Sequence, residues 1–305
     1  MTILETKERR VGGWTVTPLT GTFGASLSGK HLSEDLDGEL LMSLLEKHAV
    51  LTFREQFLSP AVQSAVAHAM GEPTKAHPVL PAHPEFPEIL PLQGDVGGKS
   101  ARWHTDVTFV EAPPAASILV SDLTPTAGGD TLWADSRRAY ETLNPALRDA
   151  LIHLRAVHRL TPFGYFGEPL ELTTSLEEAL ALHEAALLVP PVLHPLVRRH
   201  PSTGRPSLFV NSGFTTHIEG MSRIESDHLL ALLYDHQAQP ELTLRHHWKA
   251  GDVVMWDNRA TQHYATFDYG SAERRMRRIT LRGSRPVGVD GFESEIVTDP
   301  LVGVR

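Results

Sequence analysis

Among the triplets of this chain that pair a histidine with an acid two residues on are His104-Thr105-Asp106 and His217-Ile218-Glu219. An imidazole nitrogen and a carboxylate oxygen are both good ligands for a divalent metal. With 17 His and 37 Asp+Glu among 305 residues, chance alone supplies about two such triplets. Spacing therefore does not separate a metal site from an ordinary hydrogen-bonded surface pair, and context must. Trp103 precedes the first triplet, and a β-branched and aromatic run, Val107-Thr108-Phe109, follows it. Side chains two apart on a strand share a face, so His104 and Asp106 could reach one ion. A third ligand would complete a site. Two histidines and one carboxylate leave coordination positions open, which suits Fe(II) and oxygen chemistry.

Candidates for that third ligand are numerous. His77, His83, His158, His194, His200 and His263 all fall near predicted strand ends or loops. His246 and His247 are adjacent, and neighbours on a strand point opposite ways. His263 differs in its surroundings: in GDVVMWDNRATQHYATFDY a strand and a tight polar turn lead into the histidine. Such a turn could return His263 over a neighbouring strand. Downstream, ERRMRRITLRG places arginines at 274, 275, 277, 278 and 282. Arg274 and Arg278 share one strand face, on the order of 13 Å apart. Two guanidiniums so placed could hold two anions flanking one metal, because the planar donor fork fits carboxylate and sulfonate. The alternation leaves open which face is inside, and a solvated basic strand satisfies it equally well.

The elements that must position these residues are mainly strands. WTVTPLT (14–20), AVLTF (49–53), HTDVTFV (104–110) and AASILVSDL (115–123) read as strands. So do the segment after Gly128-Gly129, SLFVN, LTLRHHW, DVVMWD and MRRITLRG. Helical spacing marks 36–48, 59–71, 175–188 and 222–238, with short helices in SRRAYETL and NPALRDALIHL. Ser59, Pro60 and Gly71 supply the start and stop of the second helix. Many short strands with turn signals predict an antiparallel sandwich or barrel decorated by helices. No repeat or low-complexity linker divides the chain, so residues 1–305 read as one domain. LTPFGYFGEPLELTTS (160–175) reads either as a lid loop or as a plain hydrophobic connection.

Composition narrows the function. A net charge of −9 argues against nucleic acid as a partner, which calls for a basic stripe. With no cysteine, zinc–thiolate sites, disulfides and thiol nucleophiles are excluded. No apolar run approaches the roughly 18 residues that span a bilayer, and MTILETKERR has no signal-peptide core. No membrane partner and a cytoplasmic location are therefore expected.

The order of these motifs is more informative than any one of them. H-T-D, then G-G-D-T-L-W, then W-D-N-R-A-T-Q-H-Y-A, then an arginine eleven residues past that histidine, resembles the taurine dioxygenase-like (TauD/TfdA) Fe(II)/2-oxoglutarate dioxygenases. HPV at 77–79, PPAASIL, LHPLVRRHP at 193–201 and LFVNSGFTTHI at 208–218 extend the similarity, which fades in the first 30 residues and after 285. The resemblance implies a mainly β double-stranded β-helix, a cupin-like jelly roll with flanking helices. It implies that His104, Asp106 and His263 bind Fe(II), with 2-oxoglutarate as cosubstrate and O2 as oxidant. It implies that Arg274 pairs with the distal carboxylate of 2-oxoglutarate, that Thr131 hydrogen-bonds it, and that Arg278 and His77 face the anionic group of a small organic substrate. His217 and Glu219 have no such role. Family members form dimers or tetramers, so a homo-oligomer is expected.

Departures from the taurine enzymes bear on substrate. Leu80 stands where they carry a tyrosine, and Ser100 where they carry an asparagine four residues before the first metal histidine. Losing two polar groups favours an alkyl or aryl chain over a charged amine. GKSARWHTDVTF also resembles the alkylsulfate-cleaving branch. The expectation is a longer sulfonate or alkylsulfate, hydroxylated beside the heteroatom and breaking down to an aldehyde plus sulfite or sulfate. An aryloxyalkanoate is the next choice. A metal hydrolase or a non-catalytic binding protein on the same fold is the alternative class. Phe163, Tyr165 and Phe166 would close over the chain if 160–175 is a lid.

Overall fold

The computed structural model describes residues 7–77, 80–93, 102–160 and 184–298. Strands there are β1 (Arg9–Val11), β2 (Trp14–Pro18), β3 (Ala25–Ser28), β4 (Val50–Phe53), β5 (Leu90–Gln93), β6 (Ala116–Leu123), β7 (Thr131–Asp135), β8 (Arg155–His158) and β9 (Val192–Pro195). They continue as β10 (Val197–Arg199), β11 (Pro206–Leu208), β12 (Thr215–Ile218), β13 (Thr243–His246), β14 (Val253–Asp257), β15 (Thr261–Ala265), β16 (Arg275–Leu281), β17 (Val287–Gly288) and β18 (Glu295–Ile296). The helices are α1 (Gly38–His48), α2 (Pro60–Met70), α3 (Ser136–Thr142), α4 (Pro145–Leu151) and α5 (Arg223–Gln237).

The large sheet runs β1-β2-β3-β4-β14-β6-β16-β5 and faces a smaller one, β13-β7-β15. Two further small sheets, β11-β10-β17 and β12-β8-β9-β18, extend the body. Period-2 alternation sorts the large sheet's side chains into two cores. Leu51, Phe53, Ile118, Val120, Val253, Met255, Ile279 and Leu281 face outward under α1 and α2. Val50, Leu119, Val254, Trp256 and Met276 face inward against Trp133 of β7 and Leu244 of β13. Fully burying each such side chain contributes roughly 1.5–3 kcal/mol. The result is the expected jelly roll, mainly β with helices packed outside.

The helices start where the sequence signals them. Asp37 accepts the Leu40 N–H at 2.9 Å to cap α1. Ser59 caps α2 with Pro60 in its first turn. Ser222 and Glu225 form a capping box on α5. Both faces of β16 are buried, which is why alternation could not choose between them. Arg277 points to the helix side and bonds Asp122 and Gln63, whereas Arg278 points into the roll.

One reading needs correction. HTDVTFV is not a strand: His104 makes a single bridge to His263, and residues 106–109 form a turn with Val107 at φ 55°. SLFVN keeps only the β11 strand, Pro206–Leu208. The 160–175 segment beyond residue 160, and most of the predicted 175–188 helix, lie outside the described residues.

Candidate metal and keto-acid site

Backbone pairing assembles the centre before any side chain acts. The His104 N–H donates to the His263 carbonyl at 2.9 Å, and the His263 N–H returns the bond to the His104 carbonyl at 2.7 Å. The Thr105 hydroxyl adds a bond to the Thr261 carbonyl at 2.9 Å. The chain then turns, and Asn258 fastens the turn. Asn258 Oδ1 accepts from the Asp106 N–H at 2.9 Å, and Nδ2 donates to the Asp106 and Pro114 carbonyls, each at 3.0 Å. Gly213 lets the turn before β12 approach: a Cβ there would lie 2.9 Å from His104 Cβ.

Three ligand atoms converge as a result. Asp106 Oδ1 lies 3.9 Å from His104 Nε2 and 3.8 Å from His263 Nε2. The two imidazole centroids are 4.0 Å apart. Among the described residues this is the one group of three or more His, Cys, Asp or Glu side chains placed to share an ion. His104 Nδ1 donates to the Arg102 carbonyl at 2.9 Å, which leaves the Nε2 lone pair facing Asp106. Burial holds both histidines neutral, lowering His104 and pushing His263 well below the ordinary value. Burial works against an ionised Asp106, but the charge of Arg278 and the Ser117 hydroxyl at 2.7 Å oppose it, and the carboxyl is held at about 2. Two neutral imidazoles and one carboxylate are the protonation states a divalent metal requires, so the residues fit the group.

Arg278, expected to face the substrate's anionic group, lies against the triad. Its guanidinium lies inside the roll, but Nη1 bonds Asp106 Oδ1, the oxygen that faces the histidines. His77 is near: burial, then the charge of Arg278, push it to about 3 against the opposing pull of Asp106. The Leu80 N–H donates to His77 Nδ1 at 3.2 Å, which puts the ring proton on Nε2. Leu80 packs on an apolar cluster of Val107, Phe109, Leu160, Ala186 and Phe214 beside the triad. Ser100, Phe163, Tyr165 and Phe166 lie outside the described residues.

Arg274 occupies the opposite end of the same strand face, just before β16. It is buried, donates from Nε to the Gly129 carbonyl at 3.2 Å, and meets no carboxylate within ion-pair distance among the described residues. A buried guanidinium without a counter-charge is costly, and an anionic ligand would supply one. Thr131 opens β7, and its hydroxyl accepts from Trp248 Nε1 at 2.9 Å.

The other histidine candidates are engaged elsewhere. His158 and His194 are fully buried, bonded to the Thr108 hydroxyl and carbonyl. His200 Nε2 bonds Asp257 at 2.9 Å, and His83 lies against Phe86 with the rings tilted at 51°. His246 is buried on Trp248 while His247 is exposed, as adjacent strand residues should be. His217 and Glu219 gather no further ligand among the described residues. The sequence reading missed Asn258 and Ser117, although Asn258 stood in the quoted W-D-N-R stretch.

A family profile for taurine catabolism dioxygenases matches residues 15–280. The chain belongs to the TauD/TfdA family. As a TauD/TfdA enzyme it is a 2-oxoglutarate-dependent dioxygenase, in keeping with its relatives. It is 42% identical over 283 residues to an alpha-ketoglutarate-dependent sulfate ester dioxygenase of Pseudomonas putida, covering 90% of this chain and 92% of the other. It is 39% identical to an alkylsulfatase of Acinetobacter baylyi, covering 91% and 87%. A taurine dioxygenase structure from Burkholderia xenovorans superposes with TM-score 0.79 at 36% identity, covering 94% of this chain and 97% of that one. Among the described residues no helix is long and apolar enough to cross a membrane.

Proposed function

We propose that this chain is an Fe(II)-dependent dioxygenase of alkyl sulfate esters. It would hydroxylate the carbon that bears the sulfate oxygen, and the product would break down to an aldehyde and inorganic sulfate. The observation that carries this reading is the pairing of Arg278 at the triad with the apolar wall of Leu80, Val107, Phe109 and Phe214. A guanidinium suits the sulfate, and the wall suits the chain. The names borne by the two relatives above agree with that division of chemistry.

His104, Asp106 and His263 would hold the ferrous ion, which when bound supplies the activation of O2 coupled to decarboxylation of 2-oxoglutarate to succinate and CO2. Arg274 would pair with the distal carboxylate of the keto acid, and Thr131 would hydrogen-bond it. Arg278 would share its donors between Asp106 and the sulfate, and His77 Nε2–H would donate to the same group. The apolar wall would keep water from the reacting carbon.

The test is a panel of alkyl sulfates, alkanesulfonates, taurine and aryloxyacetates, with Fe(II), ascorbate, O2 and 2-oxoglutarate. Succinate and inorganic sulfate should form in equal amounts with medium-chain alkyl sulfates. Succinate formed only with taurine or an aryloxyacetate would overturn the reading.

A further inference from the structure

We infer that Asp268 is a positioning residue for the keto acid, holding the Gly128-Gly129 turn that aims Arg274. This rests on the assignment of Arg274 to the 2-oxoglutarate carboxylate. Arg274 has one hydrogen bond among the described residues, from Nε to the Gly129 carbonyl, and its two terminal nitrogens remain for a ligand. The direction of the guanidinium therefore follows the position of one peptide oxygen. That peptide sits in a turn with Gly128 at φ 78° and Gly129 at φ 70°, a region where L side chains are strained.

Asp268 fixes the turn from one side. Its Oδ1 accepts from the Gly129 N–H at 2.8 Å and from the Thr266 hydroxyl at 2.8 Å. A Cβ at Gly128 would lie 2.8 Å from that same oxygen, and one at Gly129 would lie 3.3 Å from Arg274 Cδ. The turn is thus wedged between Asp268 and Arg274 with no space for a side chain. From the other side, the Thr266 N–H donates to the Asp130 carbonyl at 2.9 Å, and Asp130 Oδ2 takes the Arg245 Nε at 2.7 Å. Thr131, the other proposed keto-acid contact, is the next residue. The Gly129 N–H and the Thr266 hydroxyl hold Asp268 below the usual carboxylate range, so it is ionised throughout an assay near neutral pH. Asp268 touches neither the triad nor Arg278, so its influence should be confined to the keto acid.

Binding without turnover tests this. Mn(II) and the unreactive analogue N-oxalylglycine are titrated by calorimetry into the wild type, Asp268→Ala, Asp268→Asn and Arg274→Ala. Loss of the acceptor in Asp268→Ala should weaken the analogue about tenfold, the scale of one charge-assisted hydrogen bond. Mn(II) affinity should hold, and Asp268→Asn, which keeps the acceptor oxygen, should restore analogue binding to within about threefold of wild type. Asp268 is about half exposed (side chain 52%), so the fold does not depend on it, and circular dichroism verifies this for each variant. If Arg274→Ala binds the analogue normally, the assignment of Arg274 fails. If Arg274→Ala weakens binding while a folded Asp268→Ala does not, the positioning role alone is overturned. Equal weakening by Asp268→Asn and Asp268→Ala would also overturn it, because the acceptor would then not be the cause.

Discussion

At the scale of single residues, Asn258 is the least conspicuous member of the centre and one of the most constrained. Its amide satisfies the Asp106 N–H and two carbonyls, all buried. Truncation strands three buried polar groups, each worth about 1–3 kcal/mol when left unpaired, and frees the turn that aims the metal carboxylate. Asn258→Ala should lower the melting temperature and weaken Mn(II) binding on the order of 10–100-fold, as supporting partners of metal ligands generally do. Titration followed by electron paramagnetic resonance measures this at a temperature where the variant is folded. Wild-type Mn(II) affinity in such a variant would show that the amide serves stability alone. The ligand types at 104, 106 and 263 were legible in the sequence because motif order carries them. Asn258 was not, because an asparagine in a polar turn looks the same whether it meets water or a buried peptide.

At the scale of elements, close approach decides more than intrinsic propensity. Gly38 begins α1, where alanine would ordinarily favour the helix by up to ~1 kcal/mol. A Cβ there would lie 2.0 Å from the Ala69 carbonyl of α2, a backbone atom that cannot swing aside. Overpacking of this kind costs roughly 1–3 kcal/mol, so the steric effect should win. Gly38→Ala is expected to lower the urea midpoint, with Gly204→Ser, facing open space but at φ 70°, as the backbone-strain comparison. A raised midpoint would mean that α1 slides on α2 without cost. Helices were read well because caps and 3.6-residue spacing are local. The 104–110 segment was misread as a strand because its alternation of apolar and polar residues fits a turn packed on two sides equally well. The distinction is set by Asn258, far along the chain.

At the scale of the whole molecule, buried uncharged histidines couple stability to pH. His158 and His194 are fully buried and bonded to the segment that follows Asp106. Burial first, and each other's proximity for His158, keep His158 well below its ordinary value and His194 at about 3. Both groups have a folded pKa below the unfolded value of about 6.5. Their contribution is therefore fully present above that value and is lost as pH falls toward the folded pKa. These two rings alone take up two protons on unfolding and account for about 2–3 kcal/mol per pH unit between roughly pH 6 and 4, and His77, His104 and His263, depressed the same way, steepen the fall. Urea unfolding at a series of pH values measures the slope; a flat profile across that window would mean that both rings are charged in the native protein. The reciprocal peptide bonds between His104 and His263 have another consequence. The end of the roll that carries the His104, Asp106 and His263 triad is stitched by main chain, which mutation cannot delete, whereas the neighbouring apolar wall of Leu80, Val107, Phe109 and Phe214 is made of replaceable side chains. Such a division lets new specificities be tried on the walls without retuning the oxidant, so variants with exchanged chain-length preference should retain the parent's metal affinity.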